Sequence, residues 1–150
     1  MNVFDILKED HKKVADIFEK LEPTTERAIK TREELFARLK TELDVHALVE
    51  EKVLYPALEQ IEETHDIALE GFEEHRIVKQ LLAEMDDMAK DSEQWTAKLT
   101  VLKESVEHHV EEEENEMFKK ARAALNKELI EELTRRVEAE KTKQMAVAQR

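Results

Sequence analysis

The 150-residue chain has no cysteine. That excludes a disulfide framework, a thiolate nucleophile, an iron–sulfur cluster and a Cys-ligated zinc site, and it agrees with a reducing compartment. It has one glycine and two prolines, and contains neither a phosphate-cradling glycine loop nor a Gly-x-Ser-x-Gly elbow; a His-Glu-x-x-His zinc-protease motif is also absent. Basic residues are outnumbered, 24 against 37 acidic, giving a net charge of -13, which repels phosphate backbones and anionic lipid. No apolar run approaches the roughly 20 residues that cross a bilayer, and the opening "MNVFDILKEDHKK" lacks a basic segment followed by a long apolar one. These absences point to a soluble, cytoplasmic protein with no nucleic-acid or membrane partner.

What is present is helical. Hydrophobic and charged residues each make up 41% of the chain, with Glu, Lys, Leu and Ala abundant, the residues that cost least in a helix. Apolar positions step by three and four through Phe4, Leu7, His11, Val14, Phe18 and Leu21. A second stripe passes through Leu35, Leu39, Leu43, His46, Glu50, Val53, Ala57 and Ile61, with Pro56 predicting a kink. The third runs through Ala68, Phe72, His75, Val78, Leu82, Met85 and Ala89, and the fourth through Trp95, Leu99, Leu102, Val106, His109, Glu113 and Met117. Turns are expected at "EPTTE", where a threonine can cap the next helix, at "EETHD", and at "KDSEQ", where Asp91 or Ser92 can cap. Short connections make successive helices antiparallel neighbours. The expected fold is all-α: an up-down-up-down four-helix bundle over residues 1–124. A short C-terminal helical extension over 125–150 follows, with a stripe of Leu129, Leu133 and Val137 before "QMAVAQR" frays.

The chain also repeats itself. "EDHKKV" around His11 returns as "EEHRIV" around His75, and "HALVEEKVLYPAL" from His46 returns as "HVEEEENEMFKKA" from His109. Each half thus carries a lone histidine and then His-x-x-x-Glu, an i, i+4 pair whose side chains share one helical face. In "EHHVEEEE", His109 and Glu113 continue the apolar seam, whereas His108 and Glu112 sit about 100° round the helix. His108, Glu111, Glu112 and Glu114 are therefore read as a solvated face. Six seam residues, His11, His46, Glu50, His75, His109 and Glu113, can converge on the bundle centre. Neutral imidazoles with bridging-capable carboxylates suit two transition-metal ions, with iron, manganese and zinc all compatible, better than calcium or magnesium. The alternative is a hydrogen-bonded polar core without metal, which must bury two carboxylates at several kcal/mol each. His65, in the chain's single Glu-x-x-His, is read as exposed; ferritin-like di-iron sites need that motif on two helices. Tyr55, between Leu54 and Pro56, is read as packing beside the site, with a phenolate contact as the alternative.

With that order of residues, His, His-x-x-x-Glu, His, His-x-x-x-Glu, the chain resembles the hemerythrin-like (HHE cation-binding domain) family over roughly residues 4 to 124. The resemblance implies two non-haem iron ions with an oxo or hydroxo bridge, held by His11, His46, Glu50, His75, His109 and Glu113. It departs from the oxygen carriers of that family, which have a fifth histidine one turn from the third-helix histidine; here those positions are Gly71 and Lys79. Their last carboxylate is an aspartate five residues after its histidine, here Glu113 at four. The implied function is binding or processing of a small ligand, namely oxygen, peroxide or nitric oxide. Peroxidase, catalase-like or nitric-oxide chemistry, a protein redox partner, and a monomer or dimer are all consistent with it. Iron delivery and redox or oxygen sensing are the alternative functions.

Overall fold

In the computed structural model, which describes residues 1–149, the chain begins with a reciprocal cap. Asn2 Oδ1 accepts the Asp5 N–H at 3.1 Å and Asp5 Oδ2 accepts the Asn2 N–H at 3.0 Å. Two donors that a helix start leaves unpaired are thereby satisfied, and α1 runs over Val3–Leu21. The next helix, α2 (Ile29–Val49), starts at Ala28 without a side-chain cap. The threonine expected there is engaged elsewhere: the Thr24 hydroxyl donates to the Leu21 carbonyl at 2.6 Å and accepts from Arg32 Nε at 3.0 Å.

The second long helix is interrupted rather than ended. α2 passes into a π turn, π1 (Glu50–Leu54), and resumes as α3 (Tyr55–Glu59). In π1 the Tyr55 N–H reaches the Glu50 carbonyl, five residues back. Pro56 falls in the first turn of α3, where a missing N–H costs little. The irregularity expected at the proline therefore lies just ahead of it. The fourth long helix has the same turn without a proline: α5 (Glu93–Glu112), π2 (Glu113–Met117) and α6 (Phe118–Ala124) follow one another after α4 (Glu62–Asp86). Phe118 N–H bonds to the Glu113 carbonyl, and Lys119 stands where the first half has Pro56. The π turns thus track the repeated His-x-x-x-Glu, not the proline. Each places an extra residue in its turn and shifts the buried face. Beyond Glu50 the buried positions are Val53, Leu54, Tyr55 and Leu58, while Ala57 and Ile61, expected on the seam, are partly exposed.

The segment "EETHD" is helical, not a turn. The Thr64 hydroxyl donates to the Leu58 carbonyl at 2.7 Å and His65 Nδ1 bonds to the Glu59 carbonyl at 2.7 Å, fastening the first turn of α4 onto the end of α3. His65 itself is exposed, as expected, whereas Ala89 lies beyond α4 and is also exposed, which the stripe had not predicted. Ser92 caps α5, accepting the Trp95 N–H at 3.1 Å. At this end of the bundle Arg32, 1% exposed, donates to the carbonyls of Lys90 (2.6 Å) and Thr24 (2.9 Å) and lies 4.9 Å over the Trp95 ring. One buried guanidinium joins the α1–α2 and α4–α5 connections.

The extension is longer and better anchored than expected. It is a 22-residue helix, α7 (Lys127–Ala148), so residues 144–148 are helical rather than frayed; Arg150 lies outside the described residues. Leu133 and Val137 are buried with Val45 and Val49, Met145 packs on the same cluster, and Thr134 Oγ1 accepts the Val3 N–H at 2.8 Å. Leu129, expected on that stripe, is exposed. Two apolar clusters fill the bundle. One contains Phe4, Leu7, Val49, Leu54 and Phe118; the other contains Val14, Phe18, Leu43, Leu82 and Val106. On each long helix the seam histidine lies near the level where the first cluster gives way to the second.

Candidate metal centre

All six seam residues predicted from the sequence meet at that level, 0 to 7% exposed. They form two groups, His11, His46, Glu50 and Glu113, and His75, His109, Glu50 and Glu113, each with ligand atoms within 4.8 Å of one another. Both groups share the two glutamates. Glu50 Oε1 lies 3.2 Å from His46 Nε2 and 3.1 Å from His75 Nε2; Glu113 reaches His11 Nε2 at 3.0 Å through Oε1 and His109 Nε2 at 3.2 Å through Oε2. Each carboxylate therefore spans the two halves of the repeat. The ring pairs match too: His11 and His46 are 4.9 Å apart at 63°, His75 and His109 4.8 Å apart at 62°.

The second nitrogen of every histidine is held by a carboxylate. Nδ1 donates from His11 to Glu114 (2.6 Å), from His46 to Asp10 (2.9 Å), from His75 to Glu51 (2.9 Å) and from His109 to Glu74 (2.6 Å). With Nδ1 fixed as a donor, Nε2 is the nitrogen whose lone pair faces the centre once the ring is neutral, the outer support common to metal-binding histidines. Lysines back two of these carboxylates: Lys141 lies 2.5 Å from Asp10, and Lys79 lies 2.7 Å from Glu51. Glu114, read from the sequence as part of a solvated face, is therefore a correction: it reaches back across the helix seam to His11. His108 does stay outside, 67% exposed at its side chain.

Tyr55 is closer to the centre than a packing residue. Its fully buried hydroxyl donates to Glu113 Oε2, and lies 3.2 Å from Glu50 Oε1, 3.3 Å from His75 Nε2 and 3.2 Å from His109 Nε2. Gly71, the chain's single glycine, makes room for it: a Cβ there would lie 2.8 Å from Tyr55 Cε2.

Electrostatics follow from packing these groups together. Burial and the facing Glu113 push Glu50 up, yet the imidazoles of His46 and His109 outweigh both and leave its carboxyl at about 2. Glu113 is also held low: burial opposes ionisation, and His109, His11 and His46 prevail. Burial lowers His46, His75 and His109, but the carboxylates facing them raise all three above the ordinary imidazole value. Burial and the charges of Glu113 and Glu50 drive Tyr55 well above 10, so it is a neutral phenol here. Even so, the 3.2 Å approach of Glu50 Oε1 gives buried His46 Nε2 no well-aligned hydrogen bond, and buried Glu50 Oε2 has no partner. Buried polar atoms are rarely left so. Two orphaned donor atoms aimed at the same centre, among imidazoles and carboxylates, fit a bound cation.

Sequence reasoning missed Asp10, Glu51, Glu74 and Glu114, though the repeat carries them: Asp10 and Glu74 precede the lone histidines, and Glu51 and Glu114 follow the seam glutamates.

A helical bundle whose centre is a buried histidine and glutamate cluster able to hold metal is the class of protein defined by this fold and site. The chain belongs to the hemerythrin HHE cation-binding domain family, whose model matches residues 2–121. A protein of Nostoc sp. named DNA nickase is 28% identical over 143 residues, covering 95% of this chain and 40% of its own length. An uncharacterised hemerythrin-like protein of Schizosaccharomyces pombe is 28% identical over 114 residues, 75% of this chain and 55% of that one. The chain thus spans about half the length or less of these curated relatives. Among solved structures, a hemerythrin HHE cation-binding domain-containing protein from Mycobacterium kansasii superposes with a TM-score of 0.84 at 24% identity, covering 98% of this chain and 89% of that one. That likeness bears on the fold.

Proposed function

We propose that the chain is a non-haem di-iron protein that binds or processes a small ligand such as oxygen, peroxide or nitric oxide. His11 and His46 would hold one ion, His75 and His109 the other, with Glu50 and Glu113 bridging them. Iron, when bound, supplies one-electron chemistry toward these ligands that no side chain here can. The observation that carries the reading is the sharing of both glutamates between two histidine pairs within 4.8 Å.

The two sides of the cluster differ in a way suited to a small ligand. One side is polar and closed, with Tyr55 holding a proton at its hydroxyl within reach of both glutamates. On the other, all four histidines line a cavity walled mainly by Val14, Leu43, Val78, Leu82, Val106 and Val110, with Asp44 and Lys79 also on its lining. A mainly apolar wall suits a small neutral molecule. Near-complete burial of the six residues favours retention of metal over its delivery to an acceptor. The nickase name stays with the Nostoc protein; 37 acidic against 24 basic residues oppose a nucleic-acid partner for this chain.

The test is anaerobic reconstitution with ferrous iron, metal counting, and absorption spectroscopy on exposure to oxygen, peroxide and nitric oxide. Two irons per chain and a spectral response to at least one ligand are expected. One non-iron metal per chain, or none, overturns the reading.

A further inference from the structure

The two halves of the centre match until their outer carboxylates are compared. Asp10 and Glu74 are counterparts: each precedes a lone histidine, and each accepts Nδ1–H from the His-x-x-x-Glu histidine of its own half. The second oxygen of Asp10 is met by Lys141. Glu74 pairs with no lysine or arginine among the described residues. Its Oε2 instead lies 3.8 Å from His108 Nε2, which is 3.3 Å from Glu112 Oε2. In the first half the positions matching His108 and Glu112 are Val45 and Val49, buried against α7. Where one half has a covering helix and a fixed ammonium, the other has an open face bearing an imidazole and two carboxylates.

One ligand atom each from Glu74, His108 and Glu112 lies within 4.8 Å of the other two. His108 and Glu112 have the same i, i+4 spacing as the inner pairs, so they project together from α5. Glu70 adds negative charge nearby. Two carboxylates facing each other are repulsive unless a proton or a cation lies between them.

We propose that Glu74, His108 and Glu112 form a third, surface cation site for a divalent transition-metal ion, which takes the place that Lys141 fills beside Asp10. One imidazole and two carboxylates suit zinc, cobalt or ferrous ions over calcium and magnesium. Three protein ligands leave coordination positions to water, so the site is weaker than a closed one. Glu74 is shared, with Oε1 on His109 and Oε2 toward the outer ion.

The test is equilibrium dialysis of the full chain against zinc with metal counting, comparing the unaltered protein with His108→Ala and Glu112→Gln. All six inner residues are intact in every chain. The unaltered protein is expected to bind one equivalent more than either variant below saturation, with the outer dissociation constant raised at least tenfold by each change. Equal stoichiometry and affinity across the three chains would overturn the proposal. If the inner centre holds no metal, the tight equivalents vanish from all three alike while the difference of one remains. The isosteric Glu112→Gln guards against a folding defect in the histidine variant.

Discussion

Gly71 sits in the interior of α4 opposite the Tyr55 ring, and a methyl group added there tests the geometry of the centre directly. Its Cβ would lie 2.8 Å from Tyr55 Cε2, 2.9 Å from Cζ and 3.0 Å from the hydroxyl oxygen. The ring has little freedom to yield. It is fully buried, stacked on His75 at 5.1 Å and edge-on to Phe72 at 5.3 Å, with its hydroxyl held by both glutamates. Overpacking of this kind costs about 1–3 kcal/mol, while alanine gains about 1 kcal/mol over glycine inside a helix. Gly71→Ala should therefore destabilise the metal-free chain by up to about 2 kcal/mol, a fall in Tm of as much as about 8 °C at this chain length. In a Tyr55→Leu background the ring is gone, and the same change should stabilise by as much as about 1 kcal/mol. Urea unfolding of the four chains gives the coupling, expected at about 1–3 kcal/mol. If Gly71→Ala stabilises both backgrounds equally, the close approach of ring and helix is wrong.

Four further outcomes rest on the same geometry. His109→Ala and Glu113→Ala should each lose tightly bound metal and lower the Tm of the loaded protein, whereas His108→Ala should leave the tight equivalents in place; the reverse pattern would shift the site by one residue. In the metal-free chain, His46 and His109 lie above the ordinary 6.5, so their contribution is complete below about 6.5 and fades as pH rises through the raised values. Glu50, at about 2 against an ordinary 4.5, contributes above about 4.5 and fades as pH falls toward 2. Metal-free stability should thus peak on the mildly acid side and metal-loaded stability at higher pH, read from thermal melts; identical pH profiles would sink the assignment. Metal uptake near neutral pH should release protons into a weakly buffered solution, since raised imidazoles must deprotonate to bind, and a null proton count would contradict the raised values. Arg32→Met should cost about 2–4 kcal/mol in chemical unfolding by leaving the Lys90 and Thr24 carbonyls unpaired, and a loss below about 0.5 kcal/mol would show those bonds to be replaceable by water.

The six central residues were legible because the repeat placed each polar interruption on an apolar stripe, where burial without a purpose is costly. Their supporting carboxylates were not, for a physical reason. Glu51 and Glu114 sit one residue from a seam glutamate, about 100° round the helix, and in a chain with 37 acidic residues that position reads as solvent. It is instead the edge where two helices meet, close enough for Glu114 to reach His11 and Glu51 to reach His75. The sequence predicts a kink at Pro56 because a proline is a local signal. The matching turn at Glu113, without one, shows that the register of the carboxylates governs both. Arg32 gave no sign of burial, since its partners are two carbonyls, two hydroxyls and an indole, brought together from the α1–α2 and α4–α5 connections and the start of α5. The length of α7 depended on contacts with α1 and α2, which no window of its own sequence contains.

A buried centre of this composition has to be stable before metal arrives, and the arrangement of charges shows how. Two ionised glutamates alone in an apolar bundle would be prohibitive. Here each faces imidazoles whose protonation it favours, and each imidazole is tied at Nδ1 to a carboxylate nearer the surface. Protons on His46, His75 and His109 therefore stand in for cations, holding these side chains close to the positions a metal pair would require. Loading then becomes an exchange of protons for metal within a fixed frame, in contrast to small zinc domains, where the ligands converge only when metal binds. The two orphaned atoms, His46 Nε2 and Glu50 Oε2, mark where that exchange is incomplete: proton-mediated pairing satisfies most of the centre but leaves these donors for the ion alone.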